Sequence, residues 1–314
     1  MQQHYPTRQD VVSDLSSFRA EMRVYCGGQH HALFRLNVWR SVFDIIGDWL
    51  IIAVTVVAVV ELGWWFLPIA ACLIGNRQRS LANILHDAGH GNLHRSRKAN
   101  DAISSLFVAP LIFADLGTYR EMHFQHHQQL GSNADPDKLI CTLSGSWLKQ
   151  FGGFLFKKDI WLSSVACHLL NTRTQPIRKM YIVTWWAIFS GFLWACIGGY
   201  YLVTFLLLWI VARATAFHAI TVFREMCDHY GLVEGGIISY TREIPNAGFW
   251  SHLVHPRNNG YHLTHHLLPV VPYYWLPKAQ QLISMTPTYQ TKCHVCDSYI
   301  FGISPAVQHW SSKV

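Results

Sequence analysis

The chain has 314 residues, 51% of them hydrophobic and 14% charged, with a formal net charge of +7 and 19 histidines. Few charges and long apolar runs point to a membrane protein. The basic balance suits an anionic membrane face, and no recognition helix, zinc finger or basic-aromatic stripe supports nucleic acid as a partner.

In chain order, residues 1–42 are polar and basic and form a cytosolic N-terminal segment without the pattern of a signal peptide. A first apolar hairpin is predicted over 43–85, from "FDIIGDWLIIAVTVVAVVE" (43–61) and a second helical pattern over 64–85. Each stretch meets the requirement of about 20 residues for a spanning helix. The segment 86–181 holds two histidine-rich stretches and two further apolar ones. Of these, 102–116 is broken by Pro110 and is expected to re-enter or lie at the interface, and 147–161 mixes aromatics with lysines as a headgroup-lying helix does. A second hairpin is predicted over 182–217, and 218–314 forms a C-terminal cap. All 25 Lys and Arg fall in 1–42, 76–181 or 212–314, so the turns near 62 and 199 carry none. The positive-inside rule then puts both termini and every histidine-rich segment on the cytoplasmic side. The expected fold is an all-α integral membrane protein, a single domain over 1–314 with four transmembrane helices in two hairpins and a helical cytosolic cap.

The eight cysteines are scattered and read as reduced intracellular thiols. Cys293 and Cys296 form one CxxC without the second pair that a zinc site needs.

Three histidine clusters stand out: "HDAGHGNLH" (His86, His90, His94), "HFQHH" (His123, His126, His127) and "HLTHH" (His262, His265, His266). Residues three and four apart share a helix face, so each cluster aims two or three imidazoles at one point. At this histidine content one HxxHH is expected roughly 0.07 times by chance, and the chain has two of them plus an HxxxH. Neutral imidazole is the commonest metal ligand, and eight or more exceed what one zinc takes. Two ions suit the number, and iron tolerates imidazole well. A metalloprotease would need HExxH, where this chain has Asp87, and a transporter would need intramembrane charges that the spans lack.

The three boxes resemble those of the integral-membrane fatty acid desaturase and hydroxylase superfamily, as do "ADPD" (134–137), "FREMCDHYG" (223–231) and "NNGYHLTHHLLPVVPYYWLP" (258–277). The resemblance covers roughly 70–285. It implies a non-haem centre of two Fe ions with O2 as co-substrate. The implied ligands are His86, His90, His123, His126, His127, His262, His265 and His266, with His229 as a ninth. Asp87, Asp135 and His94 are expected behind the ligands, and Glu225 or Asp228 beside His229. Thr264 and Asp228 stand where many relatives carry Glu. The implied reaction is desaturation of an acyl chain, and the alternative is hydroxylation or ketolation of a lipid, carotenoid or alkane at the same site. No HPGG haem motif is present, so a separate ferredoxin- or cytochrome-type donor is expected. Lys157, Lys158, Arg178 and Lys179 are candidates to dock it or to meet anionic lipid.

Overall fold

A computed structural model describes residues 8–27, 33–140, 144–245 and 247–311; residues 1–7 of the N-terminal segment and Cys141 lie outside them. The described residues are mostly helical. In chain order come α1 (Arg8–Tyr25), α2 (Val38–Leu62), α3 (Leu67–His90), α4 (Arg97–Phe107), α5 (Leu116–Gln129), α6 (Trp147–Leu155), α7 (Lys158–Ala166) and α8 (Pro176–Ala212). They are followed by α9 (His218–His229), α10 (Ile237–Tyr240), α11 (Phe249–Val254), α12 (His262–Leu267), α13 (Leu276–Ile283) and α14 (Pro287–Lys292). One two-residue parallel ladder joins β1 (Arg242–Glu243) to β2 (His294–Val295). By contacts the chain forms two compact units.

The first unit comprises Met1–Leu36, Arg120–Phe154 and Phe223–Val314. Its core joins Phe18 and Met22 of α1 to Leu263 and Leu267 of α12 and to Tyr273 and Leu276. Several of its helices have only four to six residues. Helices that short do not persist alone and depend on tertiary partners and caps. Carboxylates of α1 supply two: Asp14 accepts the N–H of Ile238 at 3.0 Å, and Glu21 accepts the N–H of Thr288 at 3.0 Å.

The second unit comprises Asn37–Tyr119 and Leu155–Val222. Its α2 begins at the Asn37 cap and ends at Gly63 (φ 96°), and a single turn leads into α3 with Pro68 in its first turn. A helix of 25 residues such as α2 is about 37 Å long, enough to cross a hydrocarbon core. The run Pro176–His229 is also long and apolar enough to cross a membrane. Within it Gly198 (φ 78°, ψ 168°) is not helical. Phe189 lies 6.1 Å from Phe205 and Trp186 lies 6.0 Å from Trp209 by ring centroids. In one straight helix the first pair would sit about 24 Å apart, so the two legs run side by side about Gly198.

The second predicted stretch, 64–85, is not of this apolar kind. The later half of α3 carries Asn76, Gln78, Arg79 and Ser80, all buried. Buried polar groups need partners, and Asp48 of α2 provides one, taking Arg77 at 2.9 Å and Ser80 at 2.7 Å. On the outer faces Phe43, Leu50 and Val54 of α2 and Ile188, Phe192 and Trp194 of α8 are exposed. That is a costly surface in water and an ordinary one in lipid. The stretch 102–116 divides into the end of α4, a buried turn at Pro110–Ile112 and the start of α5, and 147–161 divides into α6 and part of α7.

Gly75 marks a close crossing in this unit. A Cβ there would meet the backbone nitrogen of Phe217 at 2.7 Å and the Cβ of Ala216 at 2.8 Å. Gly75→Ala is therefore expected to destabilise by about 1–3 kcal/mol through overpacking, measured by thermal unfolding in detergent.

Candidate metal centre

Box two occupies the later part of α5, where His123, His126 and His127 fall at i, i+3 and i+4. Asp135 fixes the middle ring, with its Oδ1 2.8 Å from His126 Nδ1. The carboxylate is itself held by the N–H groups of Gly131 at 2.8 Å and Asp137 at 2.9 Å. This assigns the proton of His126 to Nδ1 and leaves the Nε2 lone pair free. The turn after α5 therefore explains "ADPD": Asp135 reaches back to the helix it follows.

Box three forms α12, where His262, His265 and His266 are all buried. His229 is the last residue of α9, and its Nδ1 donates to the Tyr240 carbonyl at 2.7 Å. These elements bring seven imidazoles together within the first unit. His262 Nε2 lies 2.9 Å from His229 Nε2 and 3.1 Å from His266 Nε2. The His126 ring is 5.2 Å from that of His229 and 5.1 Å from that of His266. These four offer ligand atoms within 4.8 Å of one another. Beside them His127 Nε2 sits 3.0 Å from His123 Nε2 and 3.1 Å from His265 Nε2. The two sets adjoin, with the rings of His127 and His266 4.3 Å apart.

This geometry fits a cation better than it fits hydrogen bonds. His262 Nε2 faces two other Nε2 atoms and has one proton at most to give. Nitrogens about 2.1 Å from one ion and at right angles would lie about 3.0 Å apart. Protonation is also disfavoured. Burial and the nearby His126 push His229 down to about 4, and burial holds His262 and His266 well below the usual imidazole value. The rings are neutral near pH 7, with lone pairs available. His126 differs: burial opposes its charge, but the Asp135 carboxylate outweighs burial and raises its pKa.

In the second unit His86 and His90 occupy the last turn of α3, with ring centroids 5.3 Å apart. The helix ends where Gly91 turns left-handed (φ 85°). That stop corrects the reading of His94, which was placed by continuing the helical face two turns beyond His86. His94 lies past the helix, and its Nδ1 accepts the N–H of Ser96 at 2.8 Å. Asp87 is buried, but its carboxylate is 3.9 Å from His86 Nδ1, beyond hydrogen-bond range.

The expected carboxylate partner of His229 is replaced by a backbone carbonyl. Glu225 lies beside Arg224 at 3.9 Å and is partly exposed. Asp228 turns instead to Arg224 at 2.8 Å and to His255 Nε2 at 3.0 Å, and it lies 3.7 Å from His262 Nε2. His255 Nδ1 meets the Tyr299 hydroxyl at 2.8 Å, so His255 belongs to this network rather than to the facing imidazoles. Tyr240, which no motif in the sequence marks, also stacks on His229 with ring centroids 5.3 Å apart. A carbonyl partner leaves no side-chain signature. Neither group of candidate ligands among the described residues includes a cysteine. Cys293 and Cys296 flank β2, and the Cys296 N–H donates to the Glu243 carbonyl at 2.8 Å. Of the four basic residues singled out, Arg178 is engaged by Asp115 at 3.0 Å, while Lys157 and Lys158 are exposed.

The fatty acid desaturase family profile matches residues 62–295. A dihydrorhizobitoxine desaturase of Bradyrhizobium elkanii is 28% identical over 276 residues, covering 81% of this chain and 77% of its own length. An sn-1 acyl-lipid omega-3 desaturase (ferredoxin) of Nostoc sp. is 25% identical, covering 80% of this chain and 76% of its own. Its namesake from Synechocystis sp. is 24% identical, covering 89% and 82%. A profile that spans both HxxHH boxes and the HxxxH before them, and relatives that are desaturases themselves, lead to one assignment: the chain belongs to the fatty acid desaturase family and is an oxidoreductase.

Proposed function

We propose that this protein is a multi-pass membrane desaturase that introduces a C=C bond into an acyl chain, using O2 and two iron ions held by nine histidines. His126, His229, His262 and His266 form one ligand set. His123, His127 and His265 belong to the other, and His86 and His90 join them on the strength of their HxxxH pattern. The observation that carries the reading is the four-imidazole group, largely buried, with the Nε2 atoms of His229, His262 and His266 at the spacing of ligands on one ion.

Bound iron would supply the oxidising power to attack an unactivated C–H bond, which no side chain has. The balanced change is O2 plus two electrons and two protons, taking –CH2–CH2– to –CH=CH– with two waters released. The chain's own groups prepare this reaction. Asp135 and the Tyr240 carbonyl hold the Nδ1 protons of His126 and His229, so that both present Nε2. Burial of His262 and His266 disfavours their protonation, and burial of all three box-three rings keeps bulk water out. The relatives named for ferredoxin support a separate iron–sulfur electron donor. An acyl-lipid substrate is supported by the same names and by the outward apolar faces of α2 and α8. The charge distribution supports four spans in two hairpins with both termini in the cytoplasm.

Lipid and carotenoid profiling of cells expressing the parent and a His265→Ala variant tests this reading. The parent alone is expected to yield a product two mass units lighter than its substrate. A gain of one oxygen would instead establish a hydroxylase or ketolase. Unchanged product in the variant would remove box three from the reaction.

A further inference from the structure

Asp135 and the Tyr240 carbonyl orient His126 and His229, but the Nδ1 atoms of His262 and His266 have no hydrogen-bond partner among the described residues. Ligating imidazoles ordinarily depend on such a partner for their aim. In box three the aim must come from the backbone that carries the rings. That backbone is a six-residue helix, and Tyr261 before it gives no side-chain cap. A helix this short does not hold its own position.

Glu243 supplies the missing cap from 21 positions away. Its Oε2 accepts the Thr264 N–H at 2.9 Å, its Oε1 accepts the Thr264 hydroxyl, and the Leu263 N–H also donates to the carboxyl. Leu263 and Thr264 are the second and third residues of α12, the donors an N-cap side chain would serve. The preceding residue, Arg242, works at the end of the other ligand helix. Its Nη2 donates to the Tyr230 carbonyl at 2.7 Å, and its Nη1 lies 3.4 Å from the carbonyls of Met226 and Cys227. These carbonyls close α9, whose last residue is His229. Adjacent strand residues face opposite ways, so one dipeptide reaches both helices. Both side chains are fully buried, and β2 holds the dipeptide through the Cys296 N–H and the Arg242–His294 register.

We propose that Arg242 and Glu243 are positioning residues: a two-sided clamp on β1 that joins the end of α9 to the start of α12 and so sets the spacing of His229 and His262. Neither touches a proposed ligand. The inference rests on the two-iron reading above.

Four variants in purified full-length protein test it: Glu243→Gln, Arg242→Met, Thr264→Val and Thr264→Ser. Thr264→Val keeps the volume and the backbone N–H but removes the hydroxyl donor, while Thr264→Ser keeps both donors. Two readouts are taken: iron affinity, and hydrogen exchange of the amides from 263 to 268 without metal. Glu243→Gln, Arg242→Met and Thr264→Val are expected to weaken iron binding by about tenfold or more. In Glu243→Gln and Thr264→Val, exchange in this segment should be about tenfold faster, while protection of α2 and α3 stays parental. Thr264→Ser should behave as the parent does. Parental iron affinity and parental exchange in both Glu243→Gln and Thr264→Val would overturn the clamp and leave the two-iron reading standing. A parent that takes up no iron would overturn both.

Discussion

His262→Ala is expected to lower turnover by on the order of a thousandfold, equivalent to about 4 kcal/mol in the barrier. His262 is the hub of the four-imidazole group, with its Nε2 2.9 Å from that of His229 and 3.1 Å from that of His266. Removing it leaves three rings of the proposed ligand set. The metal-free fold should survive, because His262 is a neutral group whose Nδ1 has no hydrogen-bond partner among the described residues. The checks are iron per chain, product formed in a single turnover, and thermal unfolding of the metal-free protein. A variant that keeps full iron and full turnover would exclude this group from the reaction.

Asp228→Ala should act on stability instead, with a loss of about 3–5 kcal/mol. The carboxylate is buried between Arg224 at 2.8 Å and His255 at 3.0 Å. Burial opposes its charge, but Arg224 and the neighbouring imidazoles outweigh burial and hold its pKa far below the usual range. Alanine would take from the largely buried Arg224 guanidinium its carboxylate at 2.8 Å and from His255 the partner of its Nε2. Asp228→Asn keeps the shape and one acceptor, so its loss should be smaller. Thermal unfolding in detergent measures both. A loss below about 1 kcal/mol in the alanine variant would mean the network adds little to the fold.

The histidine boxes were legible because their spacing is a statement about helices. His123, His126 and His127 share a face of α5, and His262, His265 and His266 share a face of α12. Asp135 was legible too, as a carboxylate eight residues beyond box two. What the pattern missed lies where no periodicity applies. His94 was placed by extending a helix that Gly91 ends, although a glycine at that point is itself a stop signal. Asp228 neighbours His229 in the chain but faces away from it toward Arg224 and His255, since successive helical residues point about 100° apart. Tyr240 acts through its carbonyl, which every residue has. Glu243 and Arg242 lie in a stretch with no long element, and their partners follow from the fold. Thr264 looked like a plain departure from the family's glutamate, yet both its donors are used.

Because α3 is one unbroken helix from Leu67 to His90, its length is quantised. Inserting or deleting one residue between Gly75 and His86 would turn both terminal imidazoles by about 100° and shift them by about 1.5 Å relative to the crossing at Gly75. No side-chain adjustment restores such a change in phase. Evolution can lengthen the chain after Gly91, where the helix has ended, but the spacing within α3 is expected to tolerate no single-residue gap.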